Sequence, residues 1–138
     1  MMKLVLDTNI VLDVWVFDDA TAVPLREGLV GARWTWLATA AMRSELARVL
    51  TYPKIAPRLQ HHQTTPQAVL EHFDAHAVLV DAPPRAPVRC SDADDQIFID
   101  LAVAHQATLL SKDHAVLAMK KRLASLGVNA QRAIDSVA

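Results

Sequence analysis

The sequence predicts an α/β fold with a largely parallel sheet. Short apolar runs rich in β-branched residues alternate with stretches whose apolar residues recur at helical spacing, and this alternation is typical of such sheets. The chain has 138 residues, of which 52% are hydrophobic, so it can bury a sizeable core. No internal repeat or shift in composition divides it. We therefore expect one domain over residues 1–138.

The first 37 residues contain two predicted strands and two predicted helices. Lys3–Leu6 is a short apolar run and predicts a buried strand. Cap-type residues 7–9 follow, and the apolar spacing over 10–15 predicts a helix. Residues 24–30 predict a second helix with proline in its first turn, and residues 33–37 predict a second strand.

The middle of the chain has clear helix boundaries. Thr39 is a cap for a helix that ends before Pro53, and residues 54–59 predict one further turn. Thr65 caps the next helix, which has proline at its first position. Residues 77–80 then predict a third strand. The next eight residues contain three prolines and predict an irregular connection.

The last third of the chain repeats the alternation. A helix is expected from Asp95, a strand over residues 108–110, and a helix over residues 114–126 that ends at Gly127. The tail from Val128 is compatible with a final strand or a short helix. Four of the six histidines (61, 62, 72 and 76) lie in a region that we expect to be peripheral, and His105 and His114 lack metal-ligand spacing, so surface or cap roles are expected.

Charge and cysteine usage exclude some classes of protein. The formal net charge is −1, and this argues modestly against a dedicated nucleic-acid binder, which is usually strongly basic. A nuclease remains compatible, because metal ions can neutralise phosphate locally. Cys90 is the only cysteine, so neither an internal disulfide nor a cysteine-rich zinc site is possible. The absence of a signal-like or membrane-spanning run favours a cytoplasmic protein with no membrane association.

Four acidic residues stand where strands lead into helices. Asp7 and Asp113 each follow a predicted strand, Asp95 opens a helix, and Glu45 lies on the helix after the second strand. Ligands bind at the carboxyl ends of the strands in an open parallel sheet. Carboxylates gathered there repel one another unless a cation holds them, and hard oxygen ligands suit Mg²⁺ or Mn²⁺. The pattern therefore indicates a metal-dependent phosphoryl-transfer site.

Each acidic residue also has an ordinary explanation. Asp7 and Asp113 could be helix caps, and Glu45 alone could be a solvated surface residue. Acidic residues in the first turn of a helix are favoured by its dipole, which would explain Asp92 and Asp94. These two aspartates could bind a metal directly, could hydrogen-bond to residues that bind it, or could be simple helix caps.

Four segments carry these acids in a recognisable order. They are Leu4-Val5-Leu6-Asp7-Thr8-Asn9-Ile10-Val11-Leu12, Ser44-Glu45-Leu46-Ala47-Arg48-Val49-Leu50, Asp92-Ala93-Asp94-Asp95-Gln96-Ile97-Phe98-Ile99-Asp100-Leu101-Ala102 and Ala107-Thr108-Leu109-Leu110-Ser111-Lys112-Asp113. Together they resemble the motifs of PIN-domain ribonucleases, and in particular the branch of toxins from bacterial toxin–antitoxin pairs. The third motif has Ala93 where that branch commonly has proline. Ser111 and Lys112 stand where glycine or threonine often precedes the fourth aspartate.

The resemblance implies a fold, an activity and a site. The fold would be a three-layer α/β/α sandwich, and the activity would be Mg²⁺- or Mn²⁺-dependent hydrolysis of RNA. Partners would be the RNA substrate and an antitoxin, and a homodimer is expected. The residues carried over as catalytic are Asp7, Glu45, Asp95 and Asp113, with Asp7, Asp95 and Asp113 as metal ligands. Possible supporting residues are Asn9, Asp92, Asp94 and Ser111.

Two other functions are compatible with parts of the pattern. The chain could be a catalytically weak or inactive module of the same fold that binds RNA or a protein partner, although such a module does not need so many like charges. Alternatively, Asp7 could accept a phosphoryl group, as in phosphatases that resemble haloacid dehalogenases. Those proteins carry a second aspartate two residues later, and this chain has Asn9.

Overall fold

The computed structural model describes residues 2–134. Residue 1 and residues 135–138, which belong to the predicted domain and to the predicted tail, lie outside the described part. Five strands form one sheet in the order β3-β2-β1-β4-β5, and every neighbouring pair is parallel. The strands are β1 (Lys3–Leu6), β2 (Thr35–Ala38), β3 (Ala77–Leu79), β4 (Thr108–Leu110) and β5 (Ala130–Gln131).

Helices connect the parallel strands. In the described part of the chain they are α1 (Thr8–Trp15), α2 (Val23–Val30), α3 (Ala40–Val49), α4 (Ala56–His61), α5 (Pro66–His76), α6 (Gln96–His105), α7 (His114–Leu117) and α8 (Lys120–Ser125). Two 3₁₀ turns, Ala20–Ala22 and Ala93–Asp95, precede α2 and α6. None of these helices combines the length and the apolarity that a bilayer span requires.

The central strand shows why the fold has three layers. Leu4, Val5 and Leu6 of β1 are all buried. Successive residues of a strand point to opposite faces of the sheet, so both faces of β1 must be covered. The helices provide that cover, and the predicted α/β/α sandwich with a parallel sheet is confirmed.

The order of the strands creates a switch point between β1 and β4. From β1 the chain builds outward through β2 to β3, and it then crosses back to β4 and β5 on the other side. The connections therefore diverge at the carboxyl ends of β1 and β4, where a crevice opens in sheets of this kind. The Asp7 amide donates to the Leu110 carbonyl at 3.0 Å, which holds these two ends side by side.

Most predicted helix boundaries are confirmed by observed caps. The Thr39 hydroxyl accepts from the Met42 amide at 3.3 Å, and the Thr65 hydroxyl accepts from the Ala68 amide at 3.1 Å. Each bond satisfies a first-turn amide that has no partner within its own helix. Residues 81–88 are irregular, as three prolines predict.

Two expectations about the last third need revision. The single helix predicted over residues 114–126 is wrong, because α7 and α8 are separate short helices. Between them the Met119 amide donates to the Val116 carbonyl, three residues back, and this interrupts the α-helical pattern. The tail that was compatible with strand or helix contains β5, which pairs with β4.

The histidines of α5 do not have the purely superficial role expected for them. His72 and His76 are half-buried, and both rings stack on Trp15 with centroid distances of 4.4 and 5.2 Å. The spacing of four residues places both rings on the same side of α5. The two histidines therefore join α5 to α1.

Candidate metal centre

Three carboxylates converge at the switch point of the sheet. Asp7, Asp95 and Asp113 each offer one oxygen, and these oxygens lie within 4.8 Å of one another. Asp7 follows β1, Asp113 follows β4 after two intervening residues, and Asp95 immediately precedes α6. Helix α6 packs against both β1 and β4, which brings Asp95 to the other two residues.

Asp7 is both a helix cap and a member of the cluster. Its Oδ1 accepts from the Asn9 amide at 3.0 Å, while its Oδ2 accepts from the Ser111 hydroxyl at 2.6 Å. The side chain is buried, and burial raises the pKa of Asp7. The hydrogen bonds from Ser111 and Asn9 lower the pKa and partly oppose that effect. Capping and membership of the site are therefore compatible.

Ser111 connects two of the three aspartates. Its hydroxyl donates to Asp7 and accepts from the Asp113 amide at 3.0 Å. Asp113 uses Oδ1 to cap α7, accepting from the Ala115 amide at 2.9 Å. Because Ser111 is completely buried, its hydroxyl is sheltered from competing water. The sequence prediction of Ser111 as polar support is consistent with this geometry.

Asp95 is the electrostatically strained member of the group. Its Oδ2 is buried and has no hydrogen-bond partner. Burial raises the pKa of Asp95 to about 8, with further contributions from a hydrogen bond to Asp113 and from the charges of Asp7, Asp113 and Asp92. The neutral carboxyl can donate to Asp113, whereas the ionised form finds no donor. A cation bound between the three aspartates would therefore favour the ionised form of Asp95.

No ordinary ion pair neutralises the cluster. Among residues 2–134, no lysine, arginine or histidine forms a salt bridge with Asp7, Asp95 or Asp113. The nearby Lys112 instead places its Nζ 2.5 Å from Oδ2 of Asp13. Three carboxylate oxygens with an orphaned buried atom are a donor set that suits a hard divalent cation.

Glu45 contacts the site indirectly. It is half-buried on α3 and accepts a short hydrogen bond from the Thr8 hydroxyl, next to Asp7. Its carboxylate does not belong to the group of three whose oxygens lie within 4.8 Å. The Thr8 hydroxyl holds Glu45 at the edge of the cluster, and the catalytic role expected for Glu45 stays a prediction.

The other predicted supporting residues lie outside the group of three carboxylates. Asp92 and Asp94 are exposed, and Asp92 caps the 3₁₀ turn by accepting from the Asp94 amide at 3.0 Å. Asn9 is exposed, and its backbone amide donates to the Asp7 carboxylate, which caps α1. Asn9, Asp92 and Asp94 therefore lie on the surface or at helix caps in the described chain.

Two residues of this region were not singled out from the sequence. Asp13 is a buried carboxylate in the apolar helix α1, and Thr8 is the partner of Glu45. A charged residue within an apolar helical run is a signal that could have identified Asp13, because such a residue needs a partner when buried. The neighbouring sequence contains no signal that distinguishes Thr8 from any other residue near a helix cap.

Comparisons with known proteins agree with the fold and identify the family. A structure of VapBC2 from Rickettsia felis, bound to a DNA fragment from their promoter, is similar with a TM-score of 0.60. The identity is 16%, and the similarity covers 94% of this chain and 98% of that one, so it supports the shared fold. No curated protein matches the sequence. The family model of the PIN domain matches residues 3–115, which contain all three clustered aspartates and Glu45, and the chain therefore belongs to the PIN-domain family.

Proposed function

We propose that this protein is a metal-dependent endoribonuclease that hydrolyses RNA phosphodiester bonds at the cluster of Asp7, Asp95 and Asp113. PIN domains are generally nucleases, and this supports a hydrolase acting on nucleic acid. The observation that carries the proposal is the buried Oδ2 of Asp95, which has no hydrogen-bond partner among residues 2–134. A structural carboxylate in that position would be costly, whereas a metal ligand would be satisfied on binding.

The three aspartates fit Mg²⁺ or Mn²⁺ as the cofactor. They offer hard oxygen atoms close together, and neither cysteine nor histidine contributes to the group. When bound, such a cation lowers the pKa of water and neutralises charge that develops on a phosphate. Asp7 and Asp95 would hold it, and Asp113 would complete the set.

The surrounding residues have distinct positioning roles. Ser111 orients Oδ2 of Asp7 and fixes the backbone of Asp113 through the same hydroxyl. Glu45 would orient the attacking water from the edge of the cluster, with the Thr8 hydroxyl holding its carboxylate. No covalent nucleophile is required, because water attacks the phosphorus directly in this scheme.

The activity can be tested with purified protein and a single-stranded RNA in the presence of Mn²⁺. Wild type should cleave it, and Asp7→Asn should reduce cleavage by at least about 100-fold, since the substitution removes a charged ligand. The matched control is Asp74→Asn, which changes an exposed aspartate paired with Arg43. Equal cleavage by wild type and Asp7→Asn would remove Asp7 from the mechanism.

A metal-binding measurement separates a nuclease from an inactive binding module. Calorimetric titration with Mn²⁺ should show a site in wild type that is lost or strongly weakened in Asp95→Asn. Unchanged Mn²⁺ affinity in this variant would mean that the cluster is not the metal site. The absence of both metal binding and RNA cleavage in wild type would favour the binding module.

We further propose that the protein is the toxin of a toxin–antitoxin pair, that it dimerises with itself and that it acts in the cytoplasm. The support for an antitoxin is the likeness to a chain of the toxin–antitoxin complex VapBC2, which is bound to a DNA fragment from its promoter. Co-expression with the product of an adjacent small open reading frame should yield a stable complex. Light scattering of the protein alone should give twice the chain mass, and a monomeric mass would reject the homodimer.

A further inference from the structure

A second pocket lies beside the acidic cluster. It has a volume of about 330 Å³, and its lining includes Asn9, Asp13, Phe17, Asp19, Arg58 and Lys112. We call it the side pocket. The Asn9 amide donates to Asp7 at 3.0 Å, and Lys112 directly precedes Asp113, so two lining residues of the side pocket are neighbours of the clustered aspartates. A ligand could therefore occupy both places at once.

Two of the four charges that line the side pocket neutralise each other, because Lys112 pairs with the buried Asp13. Asp19 caps the 3₁₀ turn and accepts from both the amide and the hydroxyl of Thr21, at 2.8 and 2.7 Å. These bonds fix the Asp19 carboxylate on the 3₁₀ turn but do not neutralise it. Arg58 is therefore the cation of the lining that is available to an anionic ligand.

Arg58 is held in place by an aromatic ring. The central carbon of its guanidinium lies 3.6 Å from the centroid of the Phe17 ring. Within residues 2–134 no carboxylate forms a salt bridge with it. A guanidinium stacked on a ring keeps its N–H groups at the edge of its plane, and these groups can bind a phosphate through two hydrogen bonds. The side chain is exposed on α4, so a phosphate can reach it.

We propose that the side pocket binds one nucleotide of single-stranded RNA, adjacent to the phosphate that is cleaved. Arg58 would bind the phosphate of this nucleotide, and the side-chain amide of Asn9 would contact its base or sugar. This inference rests on the ribonuclease function proposed above. The volume lies within the range of about 300–1,000 Å³ that is usual for small-ligand sites. A concave site favours an unpaired nucleotide, because a base within a duplex cannot turn into it.

The test measures RNA binding without cleavage. Fluorescence anisotropy of a labelled single-stranded oligoribonucleotide is recorded in EDTA for wild type, Arg58→Gln and Arg58→Lys. Arg122→Gln is the matched control, because Arg122 is an exposed arginine on α8 that does not line the side pocket. Thermal melting of each variant shows whether it is folded.

We expect Arg58→Gln to weaken binding by about 3- to 10-fold. It should also reduce the slope of log affinity against log salt by about 0.7, the value for one phosphate contact on a single strand. Arg58→Lys should retain part of the affinity, because it keeps the charge but loses the planar fork. Arg122→Gln should bind as wild type does.

Three results would overturn the assignment. Arg58→Gln could bind RNA as tightly as wild type, or the Arg58 and Arg122 variants could lose the same affinity, which would indicate general charge attraction. Alternatively, Arg58→Gln could spare RNA and weaken only a co-expressed protein partner, and the side pocket would then belong to that partner. Cleavage by wild type with Mn²⁺ is measured separately, so failure of the side-pocket assignment differs from failure of the ribonuclease function.

Discussion

The hydroxyl of Ser111 donates a hydrogen bond of 2.6 Å to Oδ2 of Asp7, across 104 positions of the chain. The same hydroxyl accepts from the Asp113 amide, so its single proton is directed to Asp7. The bond lowers the pKa of Asp7 against the effect of burial. Ser111 thus favours the ionised carboxylate that a metal ion needs.

Ser111→Ala should therefore weaken metal binding. Without the hydroxyl, the pKa of Asp7 should rise further and its carboxylate should lose a fixed orientation. We expect about 10-fold lower Mn²⁺ affinity, at the lower end of the range for partners of metal ligands. Calorimetric titration measures this, with Ser125→Ala as the control, because the Ser125 hydroxyl bonds only the Arg122 carbonyl on the exposed α8. Identical Mn²⁺ affinity in both variants would refute the role of Ser111.

The raised pKa of Asp95 predicts a pH-dependent stability for the metal-free protein. The carboxyl titrates near 3.8 when unfolded and at about 8 when folded, so the folded chain binds the extra proton between these values. Stability contributed by the neutral carboxyl is complete below about pH 4 and is lost as the pH rises through about 8.

Melting temperatures in EDTA at pH 5 and pH 8 measure that dependence. We expect wild type to lose at least about 3 °C more than Asp95→Asn over this interval, because the amide does not titrate. Added Mn²⁺ should stabilise wild type more at pH 8 than at pH 5, since protons compete with the metal for Asp95. A melting profile of Asp95→Asn that parallels wild type would contradict this assignment.

Thr8 and Glu45 should act as one unit in catalysis. Thr8→Val removes the hydroxyl that holds the Glu45 carboxylate, and Glu45→Gln removes its charge. We expect each substitution to reduce cleavage and the double variant to lose less than the two effects combined, with a coupling of about 0.5–2 kcal/mol. RNA cleavage rates of wild type, the two single variants and the double variant at saturating Mn²⁺ give the double-mutant cycle. Thr51→Val is the control, because the exposed Thr51 hydroxyl bonds the Arg48 carbonyl and does not line the side pocket. Strict additivity would show that the pair does not cooperate.

The ion pair of Lys112 and Asp13 should contribute to stability. Asp13 is only 6% exposed, so Lys112→Met leaves a buried carboxylate without its partner. Because Lys112 itself is 41% exposed, water can partly compensate, and we expect a loss of about 1–3 kcal/mol in the free energy of unfolding. Urea denaturation measures this loss.

Two controls define the origin of that effect. The double variant Asp13→Leu/Lys112→Met should recover much of the stability, because it leaves no buried charge. Asp74→Asn breaks an exposed ion pair with Arg43 and should cost much less stability than Lys112→Met, because water solvates both groups. A Lys112→Met variant as stable as wild type would mean that solvent satisfies Asp13.

Local patterns were sufficient to predict most elements of the fold. The apolar run of β1, the threonine caps of α3 and α5, and the prolines at 83, 84 and 87 each specify a local conformation through sterics or backbone hydrogen bonds. The exception is the region of α7 and α8, whose helical spacing continues across a break. Val116, Met119 and Leu123 are buried at a spacing that a continuous helix would also give, so the local pattern does not mark the break.

Strand-to-helix junctions identified Asp7 and Asp113, since the carboxyl ends of neighbouring parallel strands must meet. The sequence alone therefore determined the order of the elements, the acidic residues available at their ends and the resemblance to PIN domains. Only the tertiary structure decided that Asp95 has an unpartnered oxygen, that Lys112 pairs with Asp13 and that Thr8 binds Glu45. The physical reason is that a charged side chain finds its partner through space, and neither burial nor distance is specified by the neighbouring residues in the chain.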